Sequence, residues 1–218
     1  GYSAVTEPVV FRPLRQSRAQ MPLIASVGLS IVLQNFVFVT GAPGNLWMPI
    51  PLSGGFVLAE SGGFSLYLNR QQGVILALTL LLVGVAWYLL ARTPYGRAQR
   101  ACSQDRRMAA LLGVDVDRVT VTTFALGGAL AGSGGVMVAT YYGGVNITMG
   151  VMLGLKALTA AIVGGIGNFW GAVLGSFVVA LLEALWGGYF FTAYKDTAVF
   201  ALLILILVFR PQGLLGEA

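Results

Sequence analysis

The chain has 218 residues, of which 57% are apolar and 10% charged, and its formal net charge is +5. A soluble domain carries about a quarter charged residues, so this composition excludes a domain that covers itself in water, and lipid must do the covering. Without histidine, and with Cys102 as the one cysteine, it also excludes an internal disulfide, Cys/His metal sites and histidine acid–base chemistry.

Backbone groups in lipid need internal partners, which leaves helices or a closed barrel as spanning structures. The apolar runs are long and lack the alternation of barrel strands, so an all-α, polytopic transmembrane helical bundle is expected. The chain opens at Gly1 on polar sequence without an initiator Met or a signal-peptide layout, and reads as a single membrane domain, residues 1–218, that is incomplete at its N-terminus. Pro22 to Thr40 is the first candidate span, 19 residues without a charge. At 1.5 Å per residue it covers roughly 28 Å, close to the hydrocarbon thickness.

Residues 41–72 mix Pro43, Pro49 and Pro51 with paired glycines at 54–55 and 62–63, the composition of a structured loop outside the membrane with room for a short hairpin. Gly73 to Ala91 is the second span and Val119 to Ala139 the third, separated by the arginine-rich segment 92–118. Tyr141 and Tyr142 stand where an interfacial aromatic belt would place them. Residues 150–163 form a short apolar helix carrying Lys156, and Gly164-Gly165-Ile166-Gly167-Asn168 breaks it from a further helix, Phe169 to Trp186. After a loop over 187–196, Thr197 to Phe209 is the last span, stopped by Arg210-Pro211. The expected count is six membrane segments, with 150–163 short for a full crossing and open to a re-entrant reading.

Charge sets the expected orientation. Arg12, Arg15, Arg18, Arg92, Arg97, Arg100, Arg106, Arg107, Arg118 and Arg210 fall on one side if every segment crosses, while Arg70 and Lys195 fall on the other. The positive-inside rule makes the arginine-rich side cytoplasmic, with both ends of the chain there. The net charge is then a topology signal, and nucleic acid is not an expected partner.

Within 92–118, residues 97–112 read as an amphipathic helix, with Gly113 as its stop and Asp115 or Asp117 as a cap for the next span. Alone, this pattern fits a loop held to anionic lipid by its arginines as well as it fits a helix that docks a cytosolic partner. The segment resembles the cytoplasmic coupling region of permease subunits of bacterial branched-chain amino-acid ABC importers. The likeness rests on Gly96-Arg97-Ala98, Arg100-Ala101, Asp105, Met108-Ala109, Leu111-Leu112-Gly113 and Asp117-Arg118, and continues through Lys156-Ala157, Val163-Gly164-Gly165-Ile166-Gly167, Glu183, Tyr194-Lys195-Asp196 and Arg210-Pro211-Gln212-Gly213.

That resemblance implies a second permease subunit, cytosolic P-loop ATPase subunits and an extracytoplasmic solute-binding protein as partners, within the lipid bilayer. It implies docking of the ATPase around Arg97, Arg100, Ala101, Asp105, Met108, Ala109, Leu112 and Gly113, transport of branched-chain or other small amino acids (or, among related permeases, urea or short amides), and no cofactor or catalysis in this chain. The sequence has no Gly-x-x-x-x-Gly-Lys-Ser/Thr run of its own to cradle ATP phosphates.

Two other features are candidates for the translocation path or gating. Gly164, Gly165 and Gly167 interrupt two apolar helices, where freed backbone groups can meet a polar substrate or flex as a hinge. The pairs Gly128/Gly132 and Gly150/Gly154, and the run Gly167, Gly171 and Gly175, have the four-residue spacing of close helix packing. Lys156 and Glu183 are the ionisable residues deep within apolar segments. A structural ion pair is their plainer role and a substrate path the sharper one. An ATPase-independent transporter or channel would need a longer intramembrane relay, and an intramembrane enzyme a nucleophile and base.

Overall fold

In the computed structural model the described residues are 6, 10–11, 21–40, 46–47, 55–61, 64–146, 148–210 and 212–216. The helices are α1 (Met21–Val39), α2 (Arg70–Arg92), α3 (Pro94–Gln104), α4 (Arg106–Leu111), α5 (Val116–Tyr142), α6 (Met149–Gly164), α7 (Phe169–Tyr189) and α8 (Lys195–Phe209). Among these, α2, α5 and α7 are long and apolar enough to cross a membrane. Ile24–Val39 of α1 and Met149–Gly164 are shorter apolar helices, and α8 has 15 residues. The all-α membrane class expected from composition is what these elements form.

Strands are confined to short connections. Within 41–72, β2 (Gly55–Ser61) pairs antiparallel with β3 (Phe64–Asn69), with a register irregularity between Val57 and Ala59. A second ribbon joins β1 (Leu46–Trp47) to β4 (Gly144–Val145), placing part of this loop against the end of α5. Asn69 caps α2 by accepting from Gln71 N, so the helix opens at Arg70, three residues before the expected Gly73.

The chain divides into two compact units, residues 1–147 and 148–218. In the first, buried Gln71 at the start of α2 donates from its side-chain amide to the Thr140 carbonyl near the end of α5, fixing these antiparallel spans at one end. In the second, the core is Ala160, Val163, Val179, Val199 and Ile206, contributed by α6, α7 and α8, with Val163 and Val199 fully buried.

The backbones of α6 and α7 touch. A Cβ at Gly164 would lie 1.9 Å from the Gly171 carbonyl oxygen, and one at Gly175 would lie 2.1 Å from that of Ala160. Without a hydrophobic force between helices in lipid, such close approach is what brings enough atoms into dispersion contact to hold them. Gly171 and Gly175 thus use their four-residue spacing for packing. At Gly132, Gly150 and Gly154 a Cβ would meet nothing within 4 Å, so the same spacing there makes no such contact among the described residues.

Gly175→Ala is accordingly expected to destabilise the second unit by about 1–3 kcal/mol, the cost of forcing a methyl into a filled contact. Gly132→Ala should be neutral or slightly stabilising, as an added helix former in open space. Thermal unfolding of the detergent-solubilised chain compares the two, and equal shifts would contradict the crossing.

Candidate functional site

The arginine-rich connector is built in two helices. Thr93 accepts from Gly96 N and Pro94 occupies the first turn, so α3 starts directly after α2. Gly96 is required at this corner, since a Cβ there would lie 1.9 Å from the Leu90 carbonyl oxygen. The Tyr95 hydroxyl lies 2.6 Å from Thr123 Oγ1 of α5, and Arg100 Nη1 donates to the Leu90 carbonyl at 2.6 Å. The connector is therefore fastened to both spans it joins.

The expected single helix over 97–112 is broken at Asp105. Its carboxylate accepts from Arg107 N at 2.8 Å and Met108 N at 3.1 Å, closing α3 and capping α4. An aspartate competes in this way for free N–H groups, which favours a helix start over a helix interior. Gly113, at φ +85°, ends α4, and Asp115 rather than Asp117 caps α5 by accepting from Arg118 N.

These turns decide which expected docking residues are available. Arg97, Arg100, Asp105, Met108 and Leu112 are exposed, and Ala101 is half-buried. Ala109 is only 2% exposed and its carbonyl accepts from Val114 N, so it supports the turn and offers no contact surface. Leu111, outside the expected set, is 82% exposed and Leu112 76%. The signal for it was the i, i+3, i+4 spacing of Met108, Leu111 and Leu112, which places three apolar side chains on one face. That face has neither a described neighbour nor the length of a span to justify it.

The second candidate site lies on α6, α7 and α8. Lys156 Nζ is 2.8 Å from Glu183 Oε1 and 2.7 Å from Asp196 Oδ1, and Lys195 Nζ is 3.2 Å from the same Glu183 oxygen. Two cations and two anions on three helices make a neutral cluster, which reduces the cost of holding charge between apolar segments. The pairing of Lys156 with Glu183 was one of the sequence options. Lys195 and Asp196 had been assigned to a loop, but they form the first turn of α8 and complete the cluster. Their sequence signal was their position immediately before the apolar run that begins at Thr197.

At the glycine break the backbone is already bonded. Leu214 N donates to the Val163 carbonyl at 2.9 Å and Leu215 N to that of Gly164 at 3.0 Å. Asn168 caps α7 through Trp170 N and Gly171 N, and its amide donates to the Leu215 carbonyl at 3.1 Å. Gly165, at φ +107°, has Gly216 N only 2.5 Å from where a Cβ would sit, so the segment 212–216 lies directly over the break. The carbonyls that the broken helix was expected to leave open are those that this segment covers. Among the described residues no cluster of metal-ligating side chains occurs.

Lys156→Met should loosen the packing of α6 against α8, because Asp196 loses its partner while Glu183 keeps Lys195. Removing both charges in Lys156→Met/Glu183→Leu should leave a smaller loss than the two single changes added together. Monodispersity and thermal stability in detergent report this, and strict additivity would mean that the charges do not act as a cluster.

Residues 3–207 match the family described as branched-chain amino acid transport system / permease component. The chain is 40% identical over 216 residues to the high-affinity branched-chain amino acid transport system permease protein LivH of Escherichia coli K12, covering 99% of this chain and 70% of LivH. It is 39% identical over 217 residues to the corresponding permease protein BraD of Pseudomonas aeruginosa, covering 100% and 70%. A shorter likeness, 32% over 125 residues, links it to the xylose transport system permease protein XylH of E. coli, covering 53% of this chain and 32% of XylH. No solved structure matches. The matched stretch includes the capped α3–α4 connector, the charged cluster and the glycine break alike, and on that footing the chain belongs to the permease-component family of branched-chain amino acid transport systems.

Proposed function

We propose that the chain forms part of the translocation path of an ATP-driven importer for branched-chain or other small amino acids in the cytoplasmic membrane of a bacterium. The observation that carries this reading is the family match over nearly the whole chain together with the apolar face of α4. Met108, Leu111 and Leu112 project from a helix too short to span, on a connector fastened to two helices that can. An apolar knob on a rigid mount suits transmission of a partner's movement to the spans, and the partner with energy to supply is a cytosolic P-loop ATPase. Arg97 and Arg100 on α3 surround the knob with positive charge and orient the encounter.

The six apolar helices α1, α2, α5, α6, α7 and α8 cross in this reading, with the arginine-rich face cytoplasmic. Residues 41–72 lie on the opposite face, where a solute-binding protein delivers substrate to a pair of permease subunits. Lys156 and Glu183 hold the path-side helices together, while Gly164, Gly165 and Gly167 act in gating by letting the covering segment lift, rather than by binding substrate directly. Urea or short amides are the alternative substrates. An ATPase-independent transporter is the alternative mechanism.

Recovery of the ATPase with the detergent-solubilised permease tests the docking face. Leu111→Asp and Leu112→Asp are each expected to lower that recovery at least about tenfold, since each puts a charge where an apolar contact must be desolvated. Undiminished recovery would place the docking surface elsewhere, and no recovery with the unaltered chain would favour the ATPase-independent mechanism. In proteoliposomes holding the assembled importer, ATP-dependent uptake of labelled leucine but not urea supports the amino-acid reading, and the reverse overturns it.

A further inference from the structure

A cavity of about 320 Å³ lies between α2, α3 and α5. Leu82, Ala86 and Leu130 line the end that lies within the spans, and Tyr95, Gln99 and Thr123 line the end at the arginine-rich connector. The polar groups are not equivalent. The Tyr95 and Thr123 hydroxyls bond each other, and the Ser133 hydroxyl, at the apolar end, donates to the Leu130 carbonyl at 2.7 Å. Gln99 Oε1 is buried and has no hydrogen-bond partner among the described residues. A buried carbonyl oxygen left unpaired is costly, and none of the described residues supplies it with a donor.

The rim at that end is positive. Arg100 Nη1 donates to the carbonyl of Leu90, a residue that also lines the cavity, which holds the guanidinium near the rim with its other N–H groups unbonded among the described residues. Among the described residues neither Arg100 nor Arg97 is ion-paired. The occupant must therefore be an amphiphile: apolar where the walls belong to spans, anionic at Arg100, and a hydrogen-bond donor at Gln99.

We propose that this cavity binds an anionic glycerophospholipid with a hydroxyl-bearing headgroup, of the phosphatidylglycerol kind. An acyl chain lies along Leu82, Ala86 and Leu130, the phosphate meets Arg100, and a headgroup hydroxyl donates to Gln99 Oε1. A phosphate diester has acceptors only, so the hydroxyl is what satisfies the glutamine; arginine geometry suits the phosphate. The lipid then sits in the corner where the connector is fastened to its two spans. The site takes neither substrate nor ATPase, although it shares Arg100 with the proposed docking face.

Native mass spectrometry of the detergent-solubilised chain, mixed with phosphatidylglycerol, phosphatidylmethanol (an anionic diester without a headgroup hydroxyl) or phosphatidylcholine of identical acyl chains, tests the assignment. Phosphatidylglycerol should be retained about tenfold better than phosphatidylcholine, the size of effect expected from one charge-assisted contact. Arg100→Gln should remove that preference, Gln99→Leu should make phosphatidylglycerol and phosphatidylmethanol equal, and Ala86→Phe should lower retention of every lipid by filling the cavity. Arg107→Gln, which removes the same charge from α4, should change nothing.

Equal retention of phosphatidylglycerol and phosphatidylcholine by the unaltered chain overturns the proposal, as would be the case if protein filled the cavity. So does an equal loss with Arg107→Gln, which would mean diffuse attraction. Displacement of the lipid by soluble glycerol 3-phosphate would show a phosphate site and would also overturn it.

Discussion

Contact between the α6 and α7 backbones at Gly164, Gly171 and Gly175 is the constraint on which the second unit depends. Lipid gives apolar side chains no reason to prefer each other over acyl chains, so helices associate through dispersion and through the polar groups they share. Side-chain-free backbone at the crossing maximises the first. It also carries Val163 into the fully buried core and brings the α6 C-terminus to where Leu214 and Leu215 bond its last carbonyls. A single methyl at the crossing would separate the helices and, with them, both the covering segment and the charged cluster about two turns away.

Charge is handled in two opposite ways. The arginines of the connector stay exposed and anchor one face, as expected of side chains that are cheap in water and costly in hydrocarbon. Lys156, Glu183, Lys195 and Asp196 instead neutralise each other across three helices. The second arrangement tells one helix register from another. A slip of α8 by a turn would take Asp196 away from Lys156, so the cluster specifies the assembly more than it strengthens it.

Much of this was legible in the residues. The apolar runs follow from hydropathy and from proline and glycine placement, because helices in lipid satisfy their backbones locally. Gly113 and Asp115 acted as expected for the same reason: a cap depends on neighbours within one turn. The break at Asp105 was missed because an aspartate inside an amphipathic pattern reads equally as a surface charge. Ala109 was misjudged as contact surface because burial depends on what the turn through Val114 folds against, which no local pattern states.

The sequence by itself determined that the chain is helical, resides in a membrane and belongs among permease components, since composition and period dictate the first two and extended identity the last. Only the tertiary structure decided which glycines touch, that Lys156 has two acidic partners, that the glycine break is covered by residues 212–216, and that the apolar face of α4 is Met108, Leu111 and Leu112. Most of those outcomes join different helices or a helix and the C-terminal segment, where the close approach of backbones and the pairing of charges are set by geometry that the linear order does not encode.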